Sequence, residues 1–320
     1  MNSSAPLHPG ETGPDRFAAI DVGTNSVLML VAERFPGGGL RQVLDLAKVT
    51  RLGQGLDSTG NISPEAAERT LSCIKDFLAQ GETAGVIGRV AVGTLCLRNA
   101  ANAEWFVRRA SDELDLRIEI IEGSEEARLT YLGVMQDMPE GSARPAVFDV
   151  GGGSTEIIFG SSSQIKSRQS LEVGASRATE AFLTGDPPSP EALHALLNHL
   201  EETPFRHFEA EAYDSLLGVG GTVTSMAAVE LGLEEYDATR VQGLVLSRSQ
   251  VAAQMERFRA ANLLERKAII GLDPARADVI LGGVAVIYGL MRRLGADSFT
   301  VSARGLRHGL LAERFEPVAG

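Results

Sequence analysis

Residues 148–158 read FDVGGGSTEII, an apolar stretch that ends in an aspartate, three glycines and a hydroxyl-rich return. Residues 18–32 read AAIDVGTNSVLMLVA and repeat this layout at a second place in the chain. Two apolar runs joined by a short glycine turn predict a strand, a tight turn and a return strand. Because each copy is followed by further helix and strand patterns, the sequence predicts two similar α/β halves with a cleft between their turns.

Periodicity and capping residues place the elements that follow each hairpin. In the first half we expect a strand at 40–49, a helix from Ser63 to about Gln80, a strand at 89–94, a helix at 100–114 and a strand at 117–121. In the second half we expect a helix from about residue 125, a strand at 164–173, helices at 176–184 and 189–209, a strand, turn and helix at 215–231, helices at 248–261 and 275–294, and a strand at 298–303. The predicted domains are a disordered tail at 1–15, a first domain at 16–124, a second domain at 125–304, and a C-terminal helix at 305–320 that could pack back on the first domain.

The composition is that of an ordinary globular protein, with 44% hydrophobic and 22% charged residues among 320. The sequence has neither an apolar run of about 18 residues that could span a bilayer nor a secretory signal pattern. We therefore expect a cytoplasmic protein without a membrane partner. The net charge of −12 argues against a nucleic-acid partner. Cys73 and Cys96 lack metal-site spacing and are expected to be reduced thiols.

The two glycine turns share features that suit a phosphate group. Glycines let backbone N–H groups approach an anion, and the neighbouring hydroxyls and amide add donors. The residues concerned are Gly23, Thr24, Asn25 and Ser26 in the first turn, and Gly151, Gly152, Gly153, Ser154 and Thr155 in the second. Asp21 and Asp149 precede the turns and could hold Mg²⁺ or its waters. One such turn alone is more simply a hairpin that needs glycine, whereas two matching turns favour a phosphate site.

A third glycine-rich element includes Gly220, Gly221 and Thr222, between a predicted strand and a predicted helix. It could bring amide groups and a helix N-terminus to another phosphate. Close packing of the helix on the strand explains the glycines equally well. The element matches neither the P-loop nor the dinucleotide-binding pattern, so neither site is supported.

Five segments of the chain resemble one known family. They are IDVGTNS (20–26), EGSEEARL (122–129), FDVGGGSTE (148–156), GVGGTVTS (218–225) and GLRHGLL (305–311). Their order and approximate spacing are similar to those of the exopolyphosphatase/guanosine pentaphosphate phosphohydrolase (Ppx/GppA) family, within the sugar kinase, Hsp70 and actin superfamily. The resemblance covers nearly the whole chain from about residue 16. It implies two ribonuclease-H-like, actin-like ATPase domains of the α/β class with an interdomain cleft.

The resemblance also implies Mg²⁺-dependent hydrolysis of a terminal phosphoanhydride bond in that cleft. By position in the family motifs, Glu126 would be the general base, while Asp149 and Glu156 would position Mg²⁺ and the attacking water. Arg98 matches a family arginine that contacts phosphate. A homodimer has family precedent. Glu125 competes with Glu126, because adjacent helical residues point about 100° apart and only one can face the cleft.

Three functions compete at this stage. The leading one is an exopolyphosphatase that acts on inorganic polyphosphate, and the second is conversion of pppGpp to ppGpp. The third is an actin-like or Hsp70-like nucleotide-binding switch, which the EEARL segment disfavours. Arg51, Arg177 and Lys267 could also line the cleft, although isolated cations are usually solvated. His308 stands where the family more often has glutamate, so no role is carried over to it.

Overall fold

The structure is a computed structural model that describes residues 14–35, 39–136, 144–161 and 164–315. The first of its two sheets contains the first glycine turn. Its strands are β1 (Arg16–Val22), β2 (Ser26–Arg34), β3 (Leu40–Val49), β4 (Val86–Gly93) and β5 (Ile118–Ile120). They lie in the order β3-β2-β1-β4-β5, with β1, β2 and β3 antiparallel and with β4 and β5 parallel to β1.

The second sheet repeats this order and adds one edge strand. Its strands are β6 (Pro145–Val150), β7 (Thr155–Gly160), β8 (Ile165–Leu171), β9 (Ser215–Val219), β10 (Val245–Ser247) and β11 (Ser298–Val301). They lie in the order β10-β11-β9-β6-β7-β8, so β6, β7 and β8 form the antiparallel part and β9 runs parallel to β6. The predicted repeat of an α/β half, each built on a strand-turn-strand hairpin, is confirmed.

Thirteen α-helices are found in the described ranges. They are α1 (Leu56–Thr59), α2 (Pro64–Thr83), α3 (Leu95–Asn99), α4 (Ala103–Leu114), α5 (Gly123–Met135), α6 (Ala175–Phe182), α7 (Pro190–Glu202), α8 (Gly221–Leu231), α9 (Ala238–Val241), α10 (Arg248–Ala260), α11 (Leu263–Lys267), α12 (Ile280–Leu294) and α13 (Leu306–Phe315). The predicted start of α2 is confirmed, because the Ser63 hydroxyl accepts a hydrogen bond from the backbone N–H of Ala66.

Two predicted helices differ from the structure. The helix expected at 189–209 ends at Glu202, because Pro204 has no N–H to donate to the Leu200 carbonyl oxygen, which accepts from Phe205 instead. The helix expected at 275–294 begins at Ile280 and is preceded by a short 3₁₀ turn at Pro274–Arg276. The short elements α1, α3, α9, α11 and β10 were not predicted, because so few residues carry little periodic signal.

Helices α5 and α13 lie together between the two sheets. Leu129 of α5 joins Leu306 and Leu310 of α13 in one buried cluster with residues of β1 and β2. On its other side, α5 buries Ala127, Tyr131 and Val134 against β6, β7 and β9. A Cβ on Gly309 would stand 1.9 Å from the Leu129 carbonyl oxygen, so glycine is needed for this close approach. Helix α13 thus packs against the first sheet, while the domain limits at 124 and 304 stay predictions.

Candidate active site

The two glycine turns face one another across a cavity of about 130 Å³. A Cβ on Gly152 would lie 3.2 Å from the Asn25 Cβ and 3.4 Å from the Thr24 Cβ, so the turns are in contact at their tips. The cavity is lined by Asp21, Gly23, Thr24, Asn25, Ser26, Glu126, Asp149, Gly151, Gly152, Gly153, Ser154, Glu156, Gly220, Gly221, Thr222 and Arg276, among others. The structure therefore brings most of the predicted site residues together.

Thr155 and Arg98 do not line this cavity. Thr155 is fully buried, and its hydroxyl donates to the Val173 carbonyl oxygen at 2.6 Å. Side chains alternate between the two faces of β7, and that of Thr155 lies on the face that packs into the core of the second half. Arg98 reaches the site only through its contact with Glu126.

The amides at the tips of both turns are available to a ligand. Gly23 and Gly151 each donate their N–H across their own turn, to Ser26 and Ser154 respectively, at 3.0 Å. Among the described residues, no hydrogen bond uses the N–H of the two residues that follow each of these glycines. Successive unpaired N–H groups in a turn form a concave anion site. The four amides belong to Thr24, Asn25, Gly152 and Gly153.

Four carboxylates converge below the turns, and burial makes their charges costly. It raises the pKa of Asp21 to about 7, with Glu126 and Asp149 adding to the rise and Arg307 opposing it. It raises the pKa of Asp149 to about 7 as well, with help from Glu126. The pKa of Glu156 lies well above its usual range, because burial and the charges of Glu126 and Asp149 act together.

Glu126, and not Glu125, lines this cavity. The Arg98 Nη1 donates to Glu126 Oε2 at 2.9 Å and to the Ile121 carbonyl oxygen at 2.7 Å. Burial raises the pKa of Glu126, and Arg98 offsets part of that rise. Glu125 instead binds Arg128 through both carboxylate oxygens, and this hydrogen bonding lowers its pKa. The geometry therefore favours Glu126 as the group that meets a ligand.

The third glycine-rich element is needed for close packing and also borders the site. Gly220 has φ of 93°, and a Cβ there would stand 2.4 Å from Asp149 Oδ1. A Cβ on Gly221 would stand 2.0 Å from Arg276 Nη1. These close contacts explain why glycine is needed here, and the interpretation of this element as a phosphate site stays a prediction.

Arg276 was not predicted from the sequence. Its guanidinium lies against the backbone of Gly221 and has no ion-pair partner in the described part of the chain. Burial lowers its pKa below the usual range. It lines both the turn cavity and an adjoining chamber of about 690 Å³, which Arg304 and Arg307 also line. One arginine among many carries no local pattern, so only the fold reveals it.

Two ion pairs join the halves on the other side of the turns. Arg51 Nη2 lies 2.6 Å from Asp278 Oδ2, and Arg177 binds both oxygens of Asp57 at 2.9 Å. All four line a separate cavity of about 170 Å³ beside the turns. Of the three cations that could line the cleft, Arg51 and Arg177 thus lie at this cavity between the halves, whereas Lys267 lies at the end of α11 and lines none of these three cavities.

The remaining residues singled out from the sequence have structural surroundings. His308 Nδ1 accepts a hydrogen bond from the Gly305 N–H at 3.3 Å, and burial lowers the pKa of His308 to about 3. It thus serves as a neutral cap at the start of α13. Cys73 and Cys96 are buried free thiols, with pKa values raised by burial to about 11 and about 12. No helix of the described residues is long and apolar enough to cross a membrane.

The carboxylates suit a magnesium ion that shares its ligands with a substrate. No group of three or more His, Cys, Asp or Glu side chains among the described residues is placed to hold a metal alone. Mg²⁺ is usually bound by one or two carboxylates together with waters and substrate phosphates. Asp21 Oδ1 is buried without a hydrogen-bond partner, and a cation would satisfy it. Asp21 and Asp149, which share the cavity, therefore fit such an ion.

Known proteins resemble this chain over almost its full length. It is 33% identical to exopolyphosphatase 2 of Mycobacterium tuberculosis over 311 residues, which cover 92% of this chain and 97% of that protein. It is 30% identical to the guanosine-5'-triphosphate,3'-diphosphate pyrophosphatase of Vibrio vulnificus over 302 residues, covering 93% of this chain and 59% of that protein. The crystal structure of the Ppx/GppA family member of Aquifex aeolicus superposes with a TM-score of 0.78 at 32% identity, covering 93% of this chain and 97% of that one. The model of the Ppx/GppA phosphatase family matches residues 30–316, and the chain belongs to this family.

Proposed function

We propose that this protein hydrolyses the terminal phosphoanhydride bond of inorganic polyphosphate and releases orthophosphate. The observation that carries the proposal is the single cavity that joins two turns with unpaired amides to the partly buried carboxylate of Glu126. Amides suit a phosphate group, and a carboxylate suits the activation of water. The names of the Mycobacterium and Vibrio relatives support the same reaction class.

The proposed reaction needs little covalent chemistry from the protein. The turn amides hold the terminal phosphate in line with a water molecule, which Glu126 orients through a hydrogen bond. The water oxygen bonds to the terminal phosphorus, the bond to the bridging oxygen breaks, and Glu126 takes the proton of the water. The shortened chain leaves with the bridging oxygen. Asp21 and Asp149 would hold Mg²⁺, with Glu156 helping to position the water, and the ion when bound neutralises charge on the phosphate oxygens.

Burial of Glu126 supports its role as the base. A general base works best when its pKa lies near the working pH, and burial raises the pKa of this carboxylate. Arg98 limits the rise and holds one oxygen of Glu126 in place. We therefore propose that the main role of Arg98 is to hold Glu126, and that contact with the substrate phosphate is its secondary role.

A second candidate substrate is pppGpp, and the observation that supports it is the chamber of about 690 Å³. The chamber shares Asp21, Asp149 and Arg276 with the turn cavity, so the rest of a substrate can extend into it. Its arginines would bind the further phosphates of a polyphosphate chain or those of a nucleotide. The relative from Vibrio vulnificus carries the corresponding activity in its name.

The test is phosphate release by the wild-type protein with Mg²⁺. Polyphosphates of several lengths, pppGpp and ATP are compared at equal concentrations of terminal phosphate. We expect the largest kcat/KM with polyphosphate. Faster turnover of pppGpp would move the assignment to the second candidate, and tight ATP binding without phosphate release would favour the nucleotide-binding switch.

We also propose that the protein works in the cytoplasm, and that it does so as a homodimer, for which the family gives precedent. Analytical ultracentrifugation at micromolar concentration would give twice the chain mass of 34.0 kDa. A monomer at every concentration would contradict the proposed assembly without affecting the proposed reaction.

A further inference from the structure

Ser170 lies directly opposite Glu156 in the antiparallel pair β7–β8. Opposed residues in such a pair project to the same face of the sheet, so a short side chain can reach its neighbour. The Ser170 Oγ donates to Glu156 Oε1 at 2.8 Å. Ser170, an exposed residue on an edge strand, thus binds Glu156, a residue that is only 2% exposed.

The bond acts on a carboxylate that like charges repel. Glu126 and Asp149 both oppose the negative charge of Glu156. Like charges a few ångströms apart in a buried site would drive a free side chain to turn away. A hydrogen bond to one oxygen opposes that rotation, since turning would break it.

Ser170 has a counterpart in Arg98, which holds the neighbouring carboxylate of Glu126. The Arg98 Nη2 and the Ser170 Oγ lie 3.5 and 3.7 Å from the point where a Cβ on Gly123 would stand. The Arg98 guanidinium and the Ser170 hydroxyl therefore both lie near the start of α5, and each side chain donates to one glutamate of the site. Neither belongs to a glycine turn.

We propose that Ser170 is a positioning residue that keeps the carboxylate of Glu156 directed into the turn cavity. The proposal rests on the proposed function for its effect on rate, but not for its effect on geometry. Serine at an exposed strand position contributes little to packing, so its removal should leave the fold intact.

The test compares Ser170→Ala, Ser170→Thr and Ser167→Ala. Ser170→Ala should lower kcat for phosphate release about 10-fold, as expected for loss of one hydrogen bond to a charged group, with KM changed less than about twofold. Ser170→Thr keeps a hydroxyl and should restore most of the rate. Ser167→Ala is the matched control, because Ser167 lies on the same strand and its buried hydroxyl has no hydrogen-bond partner among the residues that the structure describes.

The rate measurements contradict the proposal if Ser170→Ala has wild-type kcat, or if Ser170→Thr is as slow as Ser170→Ala. A crystal structure of substrate-free Ser170→Ala decides the geometry without any activity. We expect the Glu156 carboxylate to rotate away from its wild-type position. An unchanged, well-ordered Glu156 would overturn the inference, and this arm stands even if the wild-type protein hydrolyses neither proposed substrate.

Discussion

The two glycine turns have the same backbone and different chemistry. Each turn is closed by the same hydrogen bond, in which the N–H of its first glycine, Gly23 or Gly151, donates to a serine carbonyl oxygen at 3.0 Å. In the first hairpin Asp21 lies opposite Leu28, whereas in the second Asp149 lies opposite Glu156. Only the second turn therefore places two carboxylates side by side. We therefore propose that the first turn binds phosphate through its amides, whereas the second turn also supplies a pair of carboxylates to the reaction.

Their supports differ as well. The carbonyl oxygens of Thr24 and Asn25 accept hydrogen bonds from the loop after β3, at residues 50–53. Those of Gly151 and Gly152 accept from the start of α6, at residues 175–177. In both turns the carbonyl groups point toward their own half, which leaves the tip amides for the cavity. Each turn is thus fixed by its own half of the molecule.

The largest expected effect lies at the position where the hairpins differ. Glu156→Gln keeps the shape but removes the charge, so it should lower kcat about 10²-fold or more. Leu28→Met, at the matching position of the first turn, conserves volume and should change kcat less than about threefold. Steady-state phosphate release measures both. Equal losses of kcat at the two positions would contradict the proposed difference between the two turns.

Gly174→Ala tests the support of the second turn. A Cβ on Gly174 would stand 2.6 Å from the Gly151 carbonyl oxygen and from the Gly152 carbonyl carbon, so backbone must move. We expect unfolding free energy to fall by about 1–3 kcal/mol, with a loss of rate of about 10-fold. Gly53→Ala is the counterpart at the first turn, where the contact at 2.5 Å is with the Thr24 side-chain methyl and can relax more easily.

Urea denaturation and phosphate release give the two readouts for these glycines. If Gly53→Ala lost as much unfolding free energy and as much rate as Gly174→Ala, the two turns would tolerate displacement equally. That result would contradict the view that the second turn needs the tighter placement.

The smallest effect concerns pH and should be shared by the two turns. Burial raises the folded-state pKa of Asp21 and of Asp149 from 3.8 to about 7. The stability linked to these protons is present below pH 3.8 and is lost as pH rises through 7. Without Mg²⁺, the melting temperature should therefore fall between pH 5 and pH 8, and Asp21→Asn or Asp149→Asn should each reduce the fall by about 5 °C at most. An identical pH dependence in all three proteins would contradict the burial of these charges.

The sequence predicts the turns well because their signals are local. Glycine, aspartate and β-branched residues specify the hairpins at 18–32 and 148–158 directly. The choice between Glu125 and Glu126 depends on the rotation of α5, which its packing between the two sheets decides. Local patterns hold no information about that packing.

Arg276 and Thr155 show the same limit. Arg276 reaches the site from a short 3₁₀ turn more than 50 residues after the nearest glycine element. From the sequence, the Thr155 hydroxyl is expected to donate a hydrogen bond to phosphate. It donates to the Val173 carbonyl oxygen instead, because the Thr155 side chain lies on the face of β7 that is turned away from the cavity. Which residues meet at the cavity is a property of the two sheets together.

The most direct measurement compares phosphate release by Glu126→Gln and Glu125→Gln with that of the wild type, on polyphosphate with Mg²⁺. Glu126 lines the cavity beside both turns, whereas Glu125 is held by Arg128 outside it. Glu126→Gln should lower kcat by about 10² to 10⁴, as expected for loss of a general base, and Glu125→Gln should change it little. Near-normal turnover by Glu126→Gln, or a larger loss in Glu125→Gln, would contradict the proposed reaction at this site.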